Sequence, residues 1–397
     1  MDTQSQERTP TLPPLAARLV TPHGVVDGWL EVGGGRILRI ADADPPGDAV
    51  RRPRHIVVPG FVDLHHHGGG GHTVTTGDPT AVVGAVRFHR DHGTTTVLAS
   101  LVTAPVDELT AASRRIAALL SDGGDAGPDD VRRLLVGIHL EGPFLATARC
   151  GAQDPAHMID PTADVVDELV AACGGWLRSV TIAPERSGAA SAISQLVDRG
   201  VIAAIGHTDA TTSDCEVAIA AGATLATHLG NAMRPLHHRE PGPIGTCLTA
   251  PSVVCELIVD GHHVHDGLVR LAHQAKGDDN IALITDAISA AGAGDGRYEL
   301  GGHPVEVRDG VARLLDGNAL AGSTLTMDVA FRNAVGAGLS IDQAARAAST
   351  NPARVLGLAD ERGSIAVGQR ADLAVFDEHL GLAAVVASGR VVAGSLN

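Results

Sequence analysis

Short apolar runs alternate with amphipathic stretches through most of the chain, and this alternation predicts its fold. Continuous runs of Val, Ile, Ala and Leu predict strands, because a strand in a parallel sheet is buried on both faces. Helical patterns separate most of them, for example over 106–120, 162–172 and 189–199. Eight strand–helix alternations in about 300 residues favour a parallel (β/α)8 barrel of the TIM type, in the α/β class, over an open doubly wound sheet. The predicted strands cover 57–65, 94–102, 134–141, 178–184, 201–207, 224–228, 252–259 and 281–286.

The two ends of the chain have a different sequence pattern, in which glycines interrupt short strand-like segments. We expect residues 15–56 and 360–397 to pair into one small β domain beside a catalytic barrel over 57–359. Residues 1–14 contain Gln, Ser, Thr and Pro, and we expect them to form a flexible leader. The segment 229–251 is expected to be mostly loop.

Composition narrows the possible functions. A net charge of −16 argues against partners such as nucleic acid or an anionic membrane surface, although it leaves an anionic small substrate open. The five cysteines have no paired spacing and no secretory leader is visible, so we expect free thiols in the cytoplasm. No apolar run approaches about 18 residues, so no membrane-spanning helix is expected. The chain has a single lysine, Lys276, which is expected at an exposed helix end.

Two histidines separated by one residue close the first predicted barrel strand. Side chains alternate faces along a strand, so His65 and His67 point the same way and His66 points the other way. Two imidazoles on one face at a strand end can hold one metal ion. The glycines at 68–71 leave room beside them, whereas the alternative interpretation is a histidine-rich loop without a metal.

Four further predicted strands end in chemically active side chains, namely Glu141, His207, His228 and Asp286. Active-site groups of a (β/α)8 barrel lie at the carboxyl ends of its strands. Each residue alone is more often structural, as a satisfied buried histidine or a carboxylate that caps a helix. Five such ends on one face indicate a site for a divalent metal, because imidazole and carboxylate suit Zn²⁺ or Fe²⁺.

Six segments together resemble the amidohydrolase superfamily, and within it the N-acetylglucosamine-6-phosphate deacetylases. The most specific are His-Leu-Glu-Gly-Pro-Phe at 139–144 and Thr-His-Leu-Gly-Asn-Ala-Met at 227–233. The resemblance covers nearly the whole chain and implies that the terminal strands form a small β-sandwich. Many other amidohydrolases bridge two metals with a carboxylated lysine, and no lysine lies near a predicted strand end here. The other segments are 58–67, 206–210, 285–287 and 320–323.

The resemblance implies a role for each candidate residue. Glu141, His207 and His228 resemble the ligands of a main metal, and His65 with His67 resembles the pair that holds a second metal in some members. One or two divalent ions per subunit are therefore expected, with Zn²⁺ favoured over Fe²⁺. Asp286 resembles the general base. It would take a proton from the metal-bound water, which leaves hydroxide as the nucleophile, and pass that proton to the leaving amine.

The same resemblance implies a phosphorylated amino sugar as the substrate. The expected reaction is hydrolysis of N-acetyl-D-glucosamine 6-phosphate to D-glucosamine 6-phosphate and acetate. Arg239 and His263 resemble the phosphate and substrate contacts, and in related dimers this arginine reaches the neighbouring active site, so a homodimer is implied. The remaining substrate-binding residues implied are Asn231, Ala232, Ala152, Gln153 and Leu320. Without the resemblance, Arg239 could form a surface ion pair with Glu240, and His263 could face solvent.

One segment departs from the family pattern. Many members have Gly-x-His-Asn-Pro after the Glu-Gly-Pro stretch, with the histidine touching the sugar, and this chain has Gly-Ala-Gln-Asp-Pro at 151–155. Gln153 forms hydrogen bonds but carries no charge. The alternative functions are therefore deacetylation of another N-acetylated substrate, such as N-acetylgalactosamine 6-phosphate, or a barrel that serves as a non-catalytic scaffold. The scaffold alternative predicts broken ligands, and all six candidate metal and catalytic residues are present.

Overall fold

The computed structural model describes residues 12–122, 131–317 and 319–396. Most of the predicted leader lies outside these residues. Leu12 is buried and its N–H donates to the carbonyl of Gly389, so the packed part of the chain includes this residue. In chain order the strands are β1 (Leu15–Thr21), β2 (Gly24–Gly33), β3 (Arg36–Ala41), β4 (Val50–Pro59), β5 (Phe61–Asp63), β6 (Gly68–Gly69), β7 (His72–Thr73), β8 (Thr94–Val102), β9 (Leu135–Glu141), β10 (Leu177–Ile182), β11 (Ile202–Ile205), β12 (Leu225–Ala226), β13 (Val254–Leu257), β14 (Ile281–Leu283), β15 (Gly296–Leu300), β16 (His303–Arg308), β17 (Val311–Leu314), β18 (Leu373–Phe376), β19 (Leu382–Ala387) and β20 (Arg390–Gly394).

A helix follows each strand of the barrel, because each amphipathic segment packs its apolar side onto the sheet. In α2, for example, Leu109, Ala112 and Ile116 repeat at helical spacing and are all buried. Among the described helices, none combines the length and the apolar character needed to cross a membrane. The α-helices are α1 (Pro79–Asp91), α2 (Val106–Ser121), α3 (Ala163–Ala172), α4 (Ala189–Asp198), α5 (Thr212–Ala220), α6 (Gly242–Thr249), α7 (Asp266–Lys276), α8 (Met327–Gly336), α9 (Ile341–Ala345) and α10 (Asn351–Val355).

The central sheet confirms the predicted (β/α)8 barrel. Its eight strands are parallel and lie in the order β5-β8-β9-β10-β11-β12-β13-β14. The chain just beyond the first and last strands completes the ring, since Asp286 N–H donates to the carbonyl of His65 at 2.8 Å and His67 N–H donates to that of Ala287 at 2.7 Å. This closure brings His65, His67 and Asp286 to one point of the barrel mouth.

The single strand predicted over 57–65 is in fact divided between two sheets. β4 continues to Pro59 in the terminal sheet, and β5 begins at Phe61 in the barrel. Gly60 lies at the crossing, where a Cβ atom would stand 2.3 Å from Thr95 Oγ1. A side chain at this position would collide with β8, which explains the need for glycine. Apolar periodicity runs unbroken through the crossing and does not reveal it.

The terminal segments form a separate seven-stranded sheet in the order β20-β19-β18-β4-β1-β2-β3. β1 and β4 are parallel neighbours, and the other pairs are antiparallel. Leu15 and Leu19 from the first segment share one buried cluster with Leu373 and Val375 from the last. The two ends of the chain therefore depend on each other for burial, as the sequence predicts.

Two local features differ from the sequence expectations. Strands β15, β16 and β17 form a small antiparallel sheet that was not predicted, although glycine turns at 301–302 and 309–310 separate its strands. The segment 229–251 is mostly loop, as expected, and it also contains helix α6. Lys276 is wrongly predicted as exposed: it is 7% exposed, and its ammonium donates to the carbonyls of Cys247 and Ala250 at the end of α6.

Candidate active site

The barrel mouth holds three candidate residues in strained backbone conformations. The φ angles of His207, His228 and Asp286 are 46°, 30° and 49°. Residues with a Cβ atom rarely adopt positive φ, and each such residue costs on the order of 1–3 kcal/mol when the region is sparsely populated. The surrounding barrel must supply this free energy. Backbone strain concentrated at three strand ends is typical of a functional site.

Glu141, His207 and His228 form the first of two compact groups. Glu141 Oε1 lies 3.0 Å from Nε2 of each histidine, and the two Nε2 atoms are 3.2 Å apart. All three side chains are buried. Glu141 ends β9, whereas His207 and His228 follow β11 and β12, so the parallel register of the barrel brings together side chains up to 87 positions apart.

The second group contains His65, His67 and Asp286. The Nε2 atoms of the two histidines are 3.0 Å apart, and Asp286 Oδ1 lies 3.2 Å from His67 Nε2. Glu141 stands between the groups, because its Oε2 is 3.2 Å from His67 Nε2 and its Oε1 is 3.5 Å from His65 Nε2. One carboxylate is therefore placed to touch cations in both positions.

The donor atoms fit divalent metal ions. The two Nε2 atoms of each group face each other, 3.0 Å apart in one group and 3.2 Å apart in the other, so neutral rings with the proton on Nδ1 direct both Nε2 lone pairs to one point. Burial without a cation would leave these lone pairs and carboxylates poorly compensated. Histidine nitrogen with carboxylate oxygen is the donor set of Zn²⁺ and Fe²⁺ sites. Either group could therefore hold a divalent ion.

The pKa values show the same convergence of charge. Burial alone would raise the pKa of Glu141, but the histidines around it, His65 first, hold that pKa well below its usual range. Burial likewise opposes protonation of His67, yet contacts with Asp286 and Glu141 raise its pKa to about 9. The cluster thus favours positive charge, which a divalent cation would supply.

Backbone carbonyls orient two of the candidate ligands. His67 Nδ1 lies 3.0 Å from the carbonyl oxygen of Ser100, and His207 Nδ1 lies 2.9 Å from that of Arg149. A carbonyl at this nitrogen requires Nδ1–H and leaves the Nε2 lone pair for a metal. These partners cannot be predicted from the sequence, because every residue has a backbone carbonyl.

His139 is a second feature that sequence reasoning missed. Its ring nitrogens lie 3.0 Å from Ser100 Oγ and 2.9 Å from Thr181 Oγ1, and its ring packs edge-on against His65 with centroids 4.5 Å apart. Burial lowers its pKa well below the usual value. His139 is therefore a neutral support beneath the cluster, and its place two residues before Glu141 on one strand was the available signal.

Gln153 contacts the cluster as well as the cavity. Its amide nitrogen donates to Glu141 Oε2, and its amide oxygen accepts from Thr103 N–H at 2.7 Å. Glutamine can bridge an acceptor and a donor in this way, since its amide carries both functions. The side chain predicted to touch the sugar thus also holds a candidate metal ligand.

A cavity of about 220 Å³ opens over the cluster. It collects every predicted site residue except His65, which is buried behind it, and Arg239. A larger cavity of about 900 Å³ lies beside it and is lined by none of the six candidate metal and catalytic residues. Predicted residues that line the smaller cavity are His67, Glu141, Ala152, Gln153, His207, His228, Asn231, Ala232, His263, Asp286 and Leu320.

The two predicted phosphate contacts differ in their surroundings. His263 is not a solvent-facing histidine, since its side chain is 5% exposed and its Nδ1 lies 2.6 Å from Asp260 Oδ2. Arg239 is exposed and contacts His238, whereas Glu240 accepts from Thr212, so the alternative Arg239–Glu240 pair is not formed. Asp260, three residues before His263, is a further functional candidate that the sequence analysis did not identify.

Comparisons with known proteins agree with this geometry. The amidohydrolase family profile matches residues 56–393. An N-acetylglucosamine-6-phosphate deacetylase from Lysinibacillus sphaericus is 36% identical, over 92% of this chain and 93% of its own length. An N-acetylgalactosamine-6-phosphate deacetylase from Escherichia coli O157:H7 is 37% identical, over 92% and 95% respectively.

A solved structure gives the same result in three dimensions. A mutant N-acetyl-D-glucosamine-6-phosphate deacetylase from Mycobacterium smegmatis, in complex with N-acetyl-D-glucosamine-6-phosphate, superimposes with a TM-score of 0.91. The two chains are 42% identical, and the match covers 97% of this chain and 100% of the other. The chain therefore belongs to the amidohydrolase family, in its N-acetylglucosamine-6-phosphate deacetylase branch.

Proposed function

We propose that this protein is a metal-dependent hydrolase that removes the acetyl group of N-acetyl-D-glucosamine 6-phosphate in amino-sugar catabolism. The products are D-glucosamine 6-phosphate and acetate. The observation that carries the proposal is the buried Glu141–His207–His228 group beside Asp286 at the floor of a sugar-sized cavity. Family membership and the named substrates of the relatives support it.

The chemistry follows from the positions of the side chains. Glu141, His207 and His228 would hold the main divalent ion and His65 with His67 a second one, and a bound ion lowers the pKa of water and polarises the acetyl carbonyl. Asp286 takes the proton of the attacking water and delivers it to the departing amine. Burial opposes its ionisation, but His65 and His67 lower its pKa, so its carboxylate is ready to act as the base.

The phosphate requires a cation that the cavity walls do not supply. No arginine or lysine is among the described residues that line the cavity, and His263 is the one titratable residue among them that belongs to neither metal group. Arg239 is exposed on the loop that leads into α6, outside this cavity. We therefore propose a homodimer in which Arg239 of one subunit binds the phosphate in the other subunit's site.

Acetate release tests the substrate. The purified, metal-analysed protein would be given N-acetylglucosamine 6-phosphate and, as a control, N-acetylglucosamine. We expect strong turnover of the phosphorylated sugar only, because the phosphate contacts supply much of the binding. Equal turnover of both sugars, or none with metal bound, would contradict the proposed substrate.

Complementation between subunits tests the shared arginine. Arg239→Ala and Asp286→Asn homodimers should both be weak catalysts. Mixed dimers should regain activity, because one of their two sites then has an intact Asp286 and receives an intact Arg239. Arg308→Ala is a control, since Arg308 is an exposed arginine of β16 that pairs with Glu306. Absence of recovery in verified mixed dimers would contradict the shared site.

N-acetylgalactosamine 6-phosphate is the second candidate substrate. The observation that favours it is Gln153, which replaces the histidine of the family pattern, and the Escherichia coli relative is named for this sugar. A higher kcat/KM for the galactosamine sugar in the same acetate assay would select it. We propose Zn²⁺ as the metal, and cytoplasmic localisation on the basis of the five free cysteines.

A further inference from the structure

A third carboxylate is buried beside the two metal groups. Glu256 lies on β13, which provides none of the candidate metal ligands, and its side chain is 3% exposed. Its Oε2 accepts from the backbone N–H of His228 at 3.3 Å and lies 3.8 Å from His65 Nδ1. The carboxylate therefore lies between the backbone N–H of His228 and the Nδ1 atom of His65, two candidate ligands that belong to different groups.

Among the described residues, His65 has no hydrogen-bond partner at this nitrogen. His67 and His207 each place Nδ1 against a backbone carbonyl, but His65 Nδ1 is buried without a hydrogen bond. An unpaired buried nitrogen is costly, and Glu256 is the carboxylate that faces it. The Nε2 atom of the same ring points to the cluster, 3.5 Å from Glu141 and 3.6 Å from Asp286.

We propose that Glu256 is a positioning residue that makes the His65–His67–Asp286 group able to bind a second divalent cation. The proposal rests on the proposed function and adds a residue to it. A carboxylate behind a histidine holds the proton on Nδ1, presents the Nε2 lone pair and increases the basicity of the ring. Glu256 also adds a third negative charge near those of Glu141 and Asp286, which would offset the repulsion between two bound cations.

Glu256→Gln separates this role from simple packing. Glutamine has the same shape and keeps an amide oxygen for the N–H of His228. It loses the negative charge that faces His65. A matched control is Asp328→Asn, because Asp328 is also a buried carboxylate beside a histidine, 3.2 Å from His92 Nδ1, and belongs to neither metal group.

Calorimetric titration of the metal-free dimer with Co²⁺ measures both sites, and visible absorption reports the geometry of the bound cobalt. We expect two binding events per subunit in the wild type and in Asp328→Asn. Glu256→Gln should retain the tighter event, and the weaker one should lose about 10- to 100-fold in affinity. In a His65→Ala background, Glu256→Gln should cause no further loss.

Three results would contradict the proposal. Two events of unchanged affinity in folded Glu256→Gln protein would remove Glu256 from this role. A single event in the wild type would also overturn the proposal, although the proposed function would stand. Absence of any binding to the wild type would overturn both. If Glu256→Gln does not fold, Glu256→Asp provides the same test, because a shortened carboxylate moves away from His65 and should weaken only the second event.

Discussion

Three consecutive histidines of this chain lie in two different environments. His65 and His67 face the barrel mouth, where Glu141 and Asp286 stand within 3.6 Å of their Nε2 atoms. His66 points to the opposite side and packs against His89, with ring centroids 4.6 Å apart. All three side chains are buried, so burial alone does not distinguish the two sides.

Their pKa values move in opposite directions. Carboxylates outweigh burial on the inner side and raise the pKa values of His65 and His67. On the outer side burial dominates, and the pKa of His66 is well below its usual value. Neither ring nitrogen of His66 has a hydrogen-bond partner in the described part of the chain. Carboxylate partners, rather than clustered histidines, therefore distinguish the candidate metal site from a structural pocket.

The largest expected effect is a loss of turnover, caused by a substitution on the inner side at the barrel mouth. Asp286→Asn removes the proposed base, so kcat should fall by about 10²- to 10⁴-fold. The Glu141–His207–His228 group is untouched, so the main metal should be retained. Acetate release and metal analysis on the same preparation measure both quantities. Near-normal turnover would remove Asp286 from its role.

Matched substitutions on the two sides sharpen the comparison. His67→Asn should lose the weaker of two metal equivalents, because it removes an Nε2 donor from the second group. His66→Asn should keep the metal content of the wild type and lower only the thermal midpoint, since it leaves a gap beside His89. Metal analysis of both dialysed variants is the measurement. Equal metal loss in the two variants would contradict the assignment of metal binding to the inner side alone.

The smallest effect concerns stability on the outer side. Burial lowers the pKa of His89 to about 4, below its unfolded value of about 6.5. Between these values the unfolded chain binds a proton that the folded protein excludes, so stability falls as pH decreases. His89→Gln keeps a donor for the Gly68 carbonyl and should reduce this loss by on the order of 1–3 kcal/mol.

Denaturant unfolding of metal-free wild type and His89→Gln at several pH values from 4 to 7 measures this difference. The two curves of free energy against pH should diverge toward acid, with the variant less sensitive. Parallel curves would show that His89 does not take up a proton in this range on unfolding.

Much of the barrel is predictable from the sequence because its strands are buried on both faces. The strand predicted over 94–102 is found at those residues, and the helix predicted over 106–120 is α2, which ends one residue later. The small sheet of β15 to β17 was missed because its strands are short and partly polar, and its buried residues pack against Val102 and Ile288 from elsewhere in the chain. Lys276 was misplaced because its partners are backbone carbonyls of another helix.

The candidate site also contains residues that can be predicted from the sequence and residues that cannot. Residues at the strand ends, such as His207 and Asp286, can be proposed from the barrel pattern, because parallel strands end on one face. Supporting residues such as Glu256 and His139 lie within strands among apolar neighbours. Their contacts depend on the register between strands, for example where Glu256 on β13 faces His65 beyond β5, and the linear sequence does not contain this register.

Metal removal and restoration test the central claim most directly. The protein would be stripped with a chelator, and Zn²⁺ would be returned in steps while bound metal and acetate release from N-acetylglucosamine 6-phosphate are measured together. If the two groups at the barrel mouth bind metal, we expect no acetate release without metal. Acetate release should then rise in step with the first equivalent of Zn²⁺ bound. Full turnover by protein shown to contain no metal would contradict the account.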